Sequence, residues 1–131
     1  MKRYLVGACA VIAIALGTHT QAHHSFAATY IEDQSVTIEG EIVQFLLRNP
    51  HSFVHVNVME KDGTTNRYVV EWGSPAQLSG KVSRDTLKPG DHVIISGNPG
   101  RNSADHRVRL LTFKRPKDGW SWGILEGEKF E

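Results

Sequence analysis

Val36-Thr37-Ile38-Glu39-Gly40-Glu41-Ile42 alternates apolar and polar residues with period two, the mark of a half-buried strand. The residues that follow slip in phase: Val43, Phe45 and Leu47 continue on the opposite parity. Gly40 precedes the slip, so a bulge or sharp bend is expected there. Asn49-Pro50 closes the strand, because proline has no N–H for the ladder. A strand this long and bent serves two sides of a small closed sheet, and that reading decides the fold.

The rest of the pattern is built outward from it. Phe53 to Met59 reads as a second strand, with Val54, Val56 and Val58 on one face and His55 and Asn57 on the other. Lys61-Asp62-Gly63 is a hairpin turn, and Tyr68 to Trp72 is a third strand rich in β-formers. Ser74-Pro75 starts a short helix, with serine as cap and proline in the first turn, and Gly80 stops it. Val93-Ile94-Ile95 and Arg107 to Phe113 supply strands four and five, separated by a polar loop that begins at Asn98-Pro99-Gly100. Three strands, a helical connector and two strands give the order of an all-β, five-stranded OB-like barrel. A small β-sandwich is the alternative. The expected organisation is a signal peptide over residues 1–22, an N-terminal arm over 23–34, the barrel over 35–115 and an irregular tail over 116–131.

The first segment has the three parts of a secretory signal peptide: Lys2 and Arg3, an uncharged apolar run from Tyr4 to Gly17, and small residues Thr20 and Ala22 at the cleavage positions. Fourteen residues of helix reach roughly 21 Å, short of the ~30 Å hydrocarbon core, so a spanning anchor does not fit. Cleavage after Ala22 is expected, with a periplasmic or secreted location and no stable membrane anchor. Cleavage also revises the composition. The chain of 131 residues has one cysteine, seven histidines and a net charge of +1. Loss of Lys2 and Arg3 leaves 13 basic against 14 acidic residues, a charge of −1, and Cys9 leaves with the same segment. No thiol remains for a disulfide or a Cys-rich zinc site. The charge carries no basic footprint for nucleic acid.

Four motifs occur in fixed order: His23-His24-Ser25-Phe26 directly after the signal peptide, Asn49-Pro50-His51 after the first strand, Glu71-Trp72-Gly73-Ser74-Pro75 with Leu78, and Leu87-Lys88-Pro89-Gly90-Asp91. In these the chain resembles DUF6152, a family of small exported bacterial proteins of unknown function. The resemblance covers the expected mature chain up to the fifth strand. It implies export and a small β domain, and it supplies no activity and no catalytic residue.

The histidines carry the sharpest functional expectation. Cleavage makes His23 the first residue, with a free α-amine of pKa about 7.7–8.0 that is partly neutral near pH 7. Its amine and imidazole can close one chelate ring, and one further imidazole would complete three nitrogens in a T-shaped histidine brace. Nitrogen-rich tetragonal sites suit Cu(II). Alternatively the His23 amine, the His24 amide and the His24 imidazole form a square-planar site within the arm alone. His51, after Asn49-Pro50 at a strand edge, is the candidate ligand from the barrel. His55 is too far along the same strand face to share a metal with it, roughly 13 Å away. His92 and His106 sit beside turns as exposed polar residues. The bland alternatives are a solvated His-His arm and a His51 that bonds only within its turn.

The expected function is therefore an exported periplasmic metal-binding protein, a Cu(II) carrier or buffer using His23, His24 and His51. The alternative is a metal-free OB-type module for a small ligand, a glycan or a periplasmic protein partner. Phe45, Phe53, Tyr68 and Trp72 serve that second reading where they do not fill the barrel, and Trp120 and Trp122, on one side of an extended tail, either dock back onto the barrel or offer an exposed contact surface. Glu71 is either a buried base with a raised pKa or one half of a cross-sheet pair with lysine or arginine, and the pair is expected. No acid, base and nucleophile set is assembled, so enzymatic activity is not expected.

Overall fold

A computed structural model of the chain describes residues 24–123. The expected signal peptide, His23 and residues 124–131 lie outside the described residues. A short helix, α1 (His24–Thr29), leads into β1 (Val36–Leu46), β2 (Ser52–Met59) and β3 (Thr65–Trp72). The connector α2 (Pro75–Leu78) follows, then β4 (His92–Pro99), a 3-10 turn at Ser103–Asp105, β5 (Arg107–Arg115) and β6 (Trp120–Gly123). No helix among the described residues is long and apolar enough to cross a membrane.

The strands run in the order β3-β2-β1-β4-β5, and a parallel pairing of β3 with β5 closes the ring. That closure is short: Val69, Val70 and Glu71 lie against Arg107, Val108 and Arg109. The result is a five-stranded OB-type barrel, and the sandwich alternative is set aside. β1 is the expected bent strand. It pairs with β4 from Val36 to Glu41 and with β2 from Gly40 onward. Its register against β2 shifts between Ile42 and Gln44, where the apolar phase slips. Gly40 lies just before the shift because the Asn57 carbonyl occupies the space of a Cβ, 2.1 Å away.

Alternate residues point into the barrel, as period two requires. Val54, Val56 and Val58 from β2, Val93 and Ile95 from β4, and Val108, Leu110 and Phe113 from β5 join Ile38 and Ile42 in one buried cluster. α2 closes one end. Its start is a reciprocal capping box: the Gln77 N–H donates to Ser74 Oγ, and the Ser74 N–H donates to Gln77 Oε1. The helix seats Leu78 in the core, and Val82 and Leu87 follow it in.

Two segments differ from expectation. The tail is not irregular throughout, because Trp120–Gly123 pairs with β5 as a sixth strand. Trp122 buries there with its ring edge-on to Trp72, 5.0 Å between centroids, and Trp72 stacks flat on Phe113 at 5.6 Å. Aromatic area drives a strand only four residues long. Strand four also runs on to Pro99, past the expected loop start. Asn98 is buried there, its amide donating to the carbonyls of Glu32 and Gln34. The described part of the arm, residues 24–34, docks on the barrel. Tyr30 is fully buried and bridges to Gly100, the Ile31 N–H donates to the Pro99 carbonyl, and Arg101 donates to the carbonyls of Thr29 and Ala27.

His55 lies on the outward face of β2, beside Gln44 and Val69. Burial, then the charges of Arg67 and Arg48, hold its pKa below the usual 6.5. A histidine harder to protonate when folded contributes stability above its unfolded pKa, and that contribution is lost as pH falls through the folded value. The melting temperature is therefore expected to drop between about pH 7 and pH 5, and His55→Gln is expected to flatten that part of the profile. Thermal melts of both proteins across that range check it. Parallel profiles would remove His55 as a source of the dependence.

Candidate functional site

The arm covers one outer face of the barrel, where β2, β3 and β5 lie side by side. Outward-pointing residues there are polar: His51 just before β2, Glu71 on β3, and Arg107 and Arg109 on β5. Glu71 points away from the core yet is buried, because Tyr30 lies over it. β3 accordingly ends in three consecutive buried residues, Val70, Glu71 and Trp72, where alternation alone would expose the middle one.

Glu71 is the hub of this cluster. Its Oε1 takes a hydrogen bond from His51 Nδ1 at 2.6 Å. Its Oε2 accepts from the Tyr30 hydroxyl and from Arg107 Nη2, the latter at 3.1 Å. Burial, then the hydrogen bond and charge of Glu71, push the Tyr30 phenol well above its ordinary value. Burial alone would lower the Arg107 pKa, but the bonds to Tyr30 and Glu71 outweigh it and raise it. The expected cross-sheet pair of Glu71 with an arginine is present, with Arg107 as partner.

Geometry sets the nitrogen chemistry of His51. A carboxylate only accepts, so Nδ1 carries the proton toward Glu71, and in the neutral ring the lone pair lies on Nε2. The bond to Glu71 makes His51 more than a turn residue. The Phe26 ring packs on the imidazole at 5.1 Å between centroids, and the Arg109 guanidinium lies over the same Phe26 ring, 4.0 Å from its centroid. Arg109 also pairs with Glu32 at 3.0 Å. A shallow pocket opens beside His51 between Phe26, Trp72, Gln77 and Arg109.

Of the expected metal ligands, the structure places His51 here and brings α1 beside it through Phe26. His23 lies outside the described residues, and of His24 only the backbone, at the start of α1, is described. Among the described residues no three His, Cys, Asp or Glu side chains gather as a metal cage. His55 stands apart from His51, facing Arg67 and Arg48 instead of Glu71. His92 is exposed as expected and pairs with Glu39 at 2.8 Å. His106 is half-buried instead of exposed: it takes a left-handed backbone, φ 45°, at the end of the 3-10 turn and packs on Tyr68 at 5.0 Å.

The contacts of Tyr30 and Arg107 with Glu71 are the part of the candidate site that sequence reasoning missed. Each residue is remote in sequence from Glu71, by 41 and 36 positions. The available signal was the parity of Arg107 and Arg109 on a predicted strand, two cations on the outward face that needed an acidic partner.

The fold and site define a small closed β-barrel with an N-terminal arm docked over a histidine-carboxylate-arginine cluster. The family description of DUF6152, a family of unknown function, matches residues 10–109, and the chain belongs to that family. The match ends within β5 and leaves β6 outside it. No curated protein matches the chain.

Proposed function

We propose that the processed protein is an exported Cu(II)-binding protein, a carrier or buffer, whose site combines the free amine and imidazole of His23, with His24 beside it, and the Nε2 of His51. The observation that carries this reading is the His51–Glu71 pair. A metal-ligating histidine commonly donates its second ring nitrogen to a carboxylate, which fixes the tautomer and raises ligand basicity. His51 has that arrangement, 2.6 Å from Glu71 and with Nε2 left for a ligand. The contact of Phe26 with His51 supports it further, because Phe26 is only two residues beyond His24. Three helical residues rise only about 4.5 Å, so the N-terminal end of the helix stays near that anchor.

The test compares three proteins by Cu(II) titration with EPR: the processed form beginning at His23, the same form with one extra N-terminal residue, and His51→Ala. The extra residue is expected to weaken binding and change the spectrum, because it removes the chelating amine from His23. His51→Ala is expected to convert the brace signal to that of an arm-only square-planar site. Equal affinity and spectra in the first two proteins would sink the terminal-amine reading. An unchanged spectrum in His51→Ala would restrict the site to the arm.

A further inference from the structure

The barrel wall parts between the first half of β1 and the end of β2. β1 pairs with β4 from Val36 onward, but with β2 only from Gly40 onward, opposite Val58. Residues 36–39 thus have a neighbouring strand on one side alone. The direction of their peptide groups follows from Ile42, whose N–H donates to the Asp91 carbonyl and whose carbonyl accepts from the Gly90 N–H, both on the β4 side. Counting back in twos, Gly40, Ile38 and Val36 also turn their peptide groups to β4. Thr37 turns its N–H and C=O the other way, and Glu39 turns its N–H the same way. Both residues line a cavity of about 460 Å³. It shares no lining residue with the pocket beside His51.

The rest of the cavity suits a chain segment with one apolar side chain. Ile38, Val58, Val108 and Tyr68 form its apolar surface. Met59 stands at its rim, 75% exposed, the one exposed large hydrophobic among the described residues. Flexible exposed methionines mark adaptable binding surfaces. The charges at the cavity are unequal in their commitments. Glu39 is held by His92, and Glu60 accepts from the Tyr68 hydroxyl at 3.0 Å and from the Asn66 amide at 3.3 Å. Arg107 is bound to Glu71. Lys61 is exposed and, of Lys61 and Arg107, is the cation at this cavity without an ion pair among the described residues, whereas Glu60 keeps its charge turned to two neutral donors.

We propose that this groove docks an extended peptide segment of a partner protein. The segment adds a short strand to the free edge of β1 at Thr37 and Glu39, seats an apolar side chain over Ile38 and Val108, and sets an acidic residue against Lys61. Strand addition of this kind draws affinity from main-chain hydrogen bonds and specificity from the side-chain pockets. The site is independent of the copper reading.

The test uses the processed protein, isotope-labelled, with a blocked hexapeptide of alternating valine and threonine that carries glutamate at both ends. The peptide is expected to shift the amide signals of Thr37, Glu39 and Lys61 and to slow hydrogen exchange at Thr37 and Glu39. The same peptide N-methylated at alternate residues, which blocks its bonding edge, is expected to do neither. Lys61→Glu is expected to weaken the acidic peptide by about two- to fivefold and to favour a lysine-ended one. Equal effects of the methylated peptide, or no response at Thr37 and Glu39 with millimolar peptide, would overturn strand addition. Shifts in the groove with sodium dodecanoate and none with peptide would make it an amphiphile site and overturn the proposal. An unchanged affinity in Lys61→Glu would overturn the acidic preference.

Discussion

Glu71→Ala is expected to lower stability by about 2–3 kcal/mol, read as a drop in the urea midpoint at unchanged slope. The size follows from what the carboxylate holds. Three side chains converge on it: His51, Tyr30 and Arg107. Without it the Arg107 guanidinium loses its carboxylate partner, and its Nε already has no hydrogen-bond partner among the described residues. Glu71 is buried but the Arg107 side chain is 36% exposed, so the loss of the pair destabilises more than that of an exposed pair and less than that of a fully buried one. The Tyr30 hydroxyl, in a fully buried residue, loses its acceptor as well. In a domain of this size such a loss lowers the melting temperature by about 4 °C or more per kcal/mol. Glu71→Gln keeps an acceptor for Tyr30 and is expected to lose about half as much. A second consequence falls on His51, whose ring is no longer held in one tautomer. If the copper reading holds, Cu(II) affinity falls by about 10- to 100-fold in Glu71→Gln, a fold that still stands. A loss under about 1 kcal/mol in Glu71→Ala would mean that the cluster is not closed in solution.

Gly97→Ala is expected to lower stability by about 3 kcal/mol or more, at the upper end of what overpacking does. A Cβ at this position would lie 1.9 Å from the Arg109 carbonyl oxygen and 2.8 Å from the Arg109 carbonyl carbon and Val108 Cγ1. The blocking atoms are mainly backbone of the paired strand, so no rotamer change relieves the contact. Gly97 sits at the register shift of β4 against β5, and β5 is the strand that closes the barrel. Forcing the two apart also displaces Asn98, which holds the arm through Glu32 and Gln34. Gly63→Ala is the control. Gly63 has a positive φ of 86° but nothing near a Cβ, so only the backbone strain applies, about 1–2 kcal/mol. Chemical denaturation of both variants checks the order. Equal losses would remove the close approach as the cause.

Much of the barrel was legible in the sequence because it depends on local periodicity. The parity slip after Ile42 is the register shift, the β2 valines are core, and Ser74-Pro75 starts the connector helix with Gln77 completing its cap. The sixth strand was not legible. Trp120-Ser121-Trp122 is too short for a period, and its order comes from Trp72 and Phe113, residues far back in the chain or across the sheet. The candidate site was legible in half. His51 and Glu71 were each singled out, one as a ligand and one as half of an ion pair with arginine. Their bond to each other was not, because it depends on Ser52 lying opposite Trp72 in the β2–β3 register. The bond of Tyr30 to Glu71 was not legible either, because an aperiodic arm gives no hint of the face it covers.

The docking of that arm has a consequence for the order of synthesis. Its ties run to Asn98, Pro99, Gly100 and Arg101, some seventy positions further on. The first residues therefore have nothing to close upon until most of the polypeptide has been made. Contacts at such separation form late, after the local hairpins. The arm therefore stays undocked through most of elongation, and the cluster it covers is completed by Arg107, on one of the last strands to emerge.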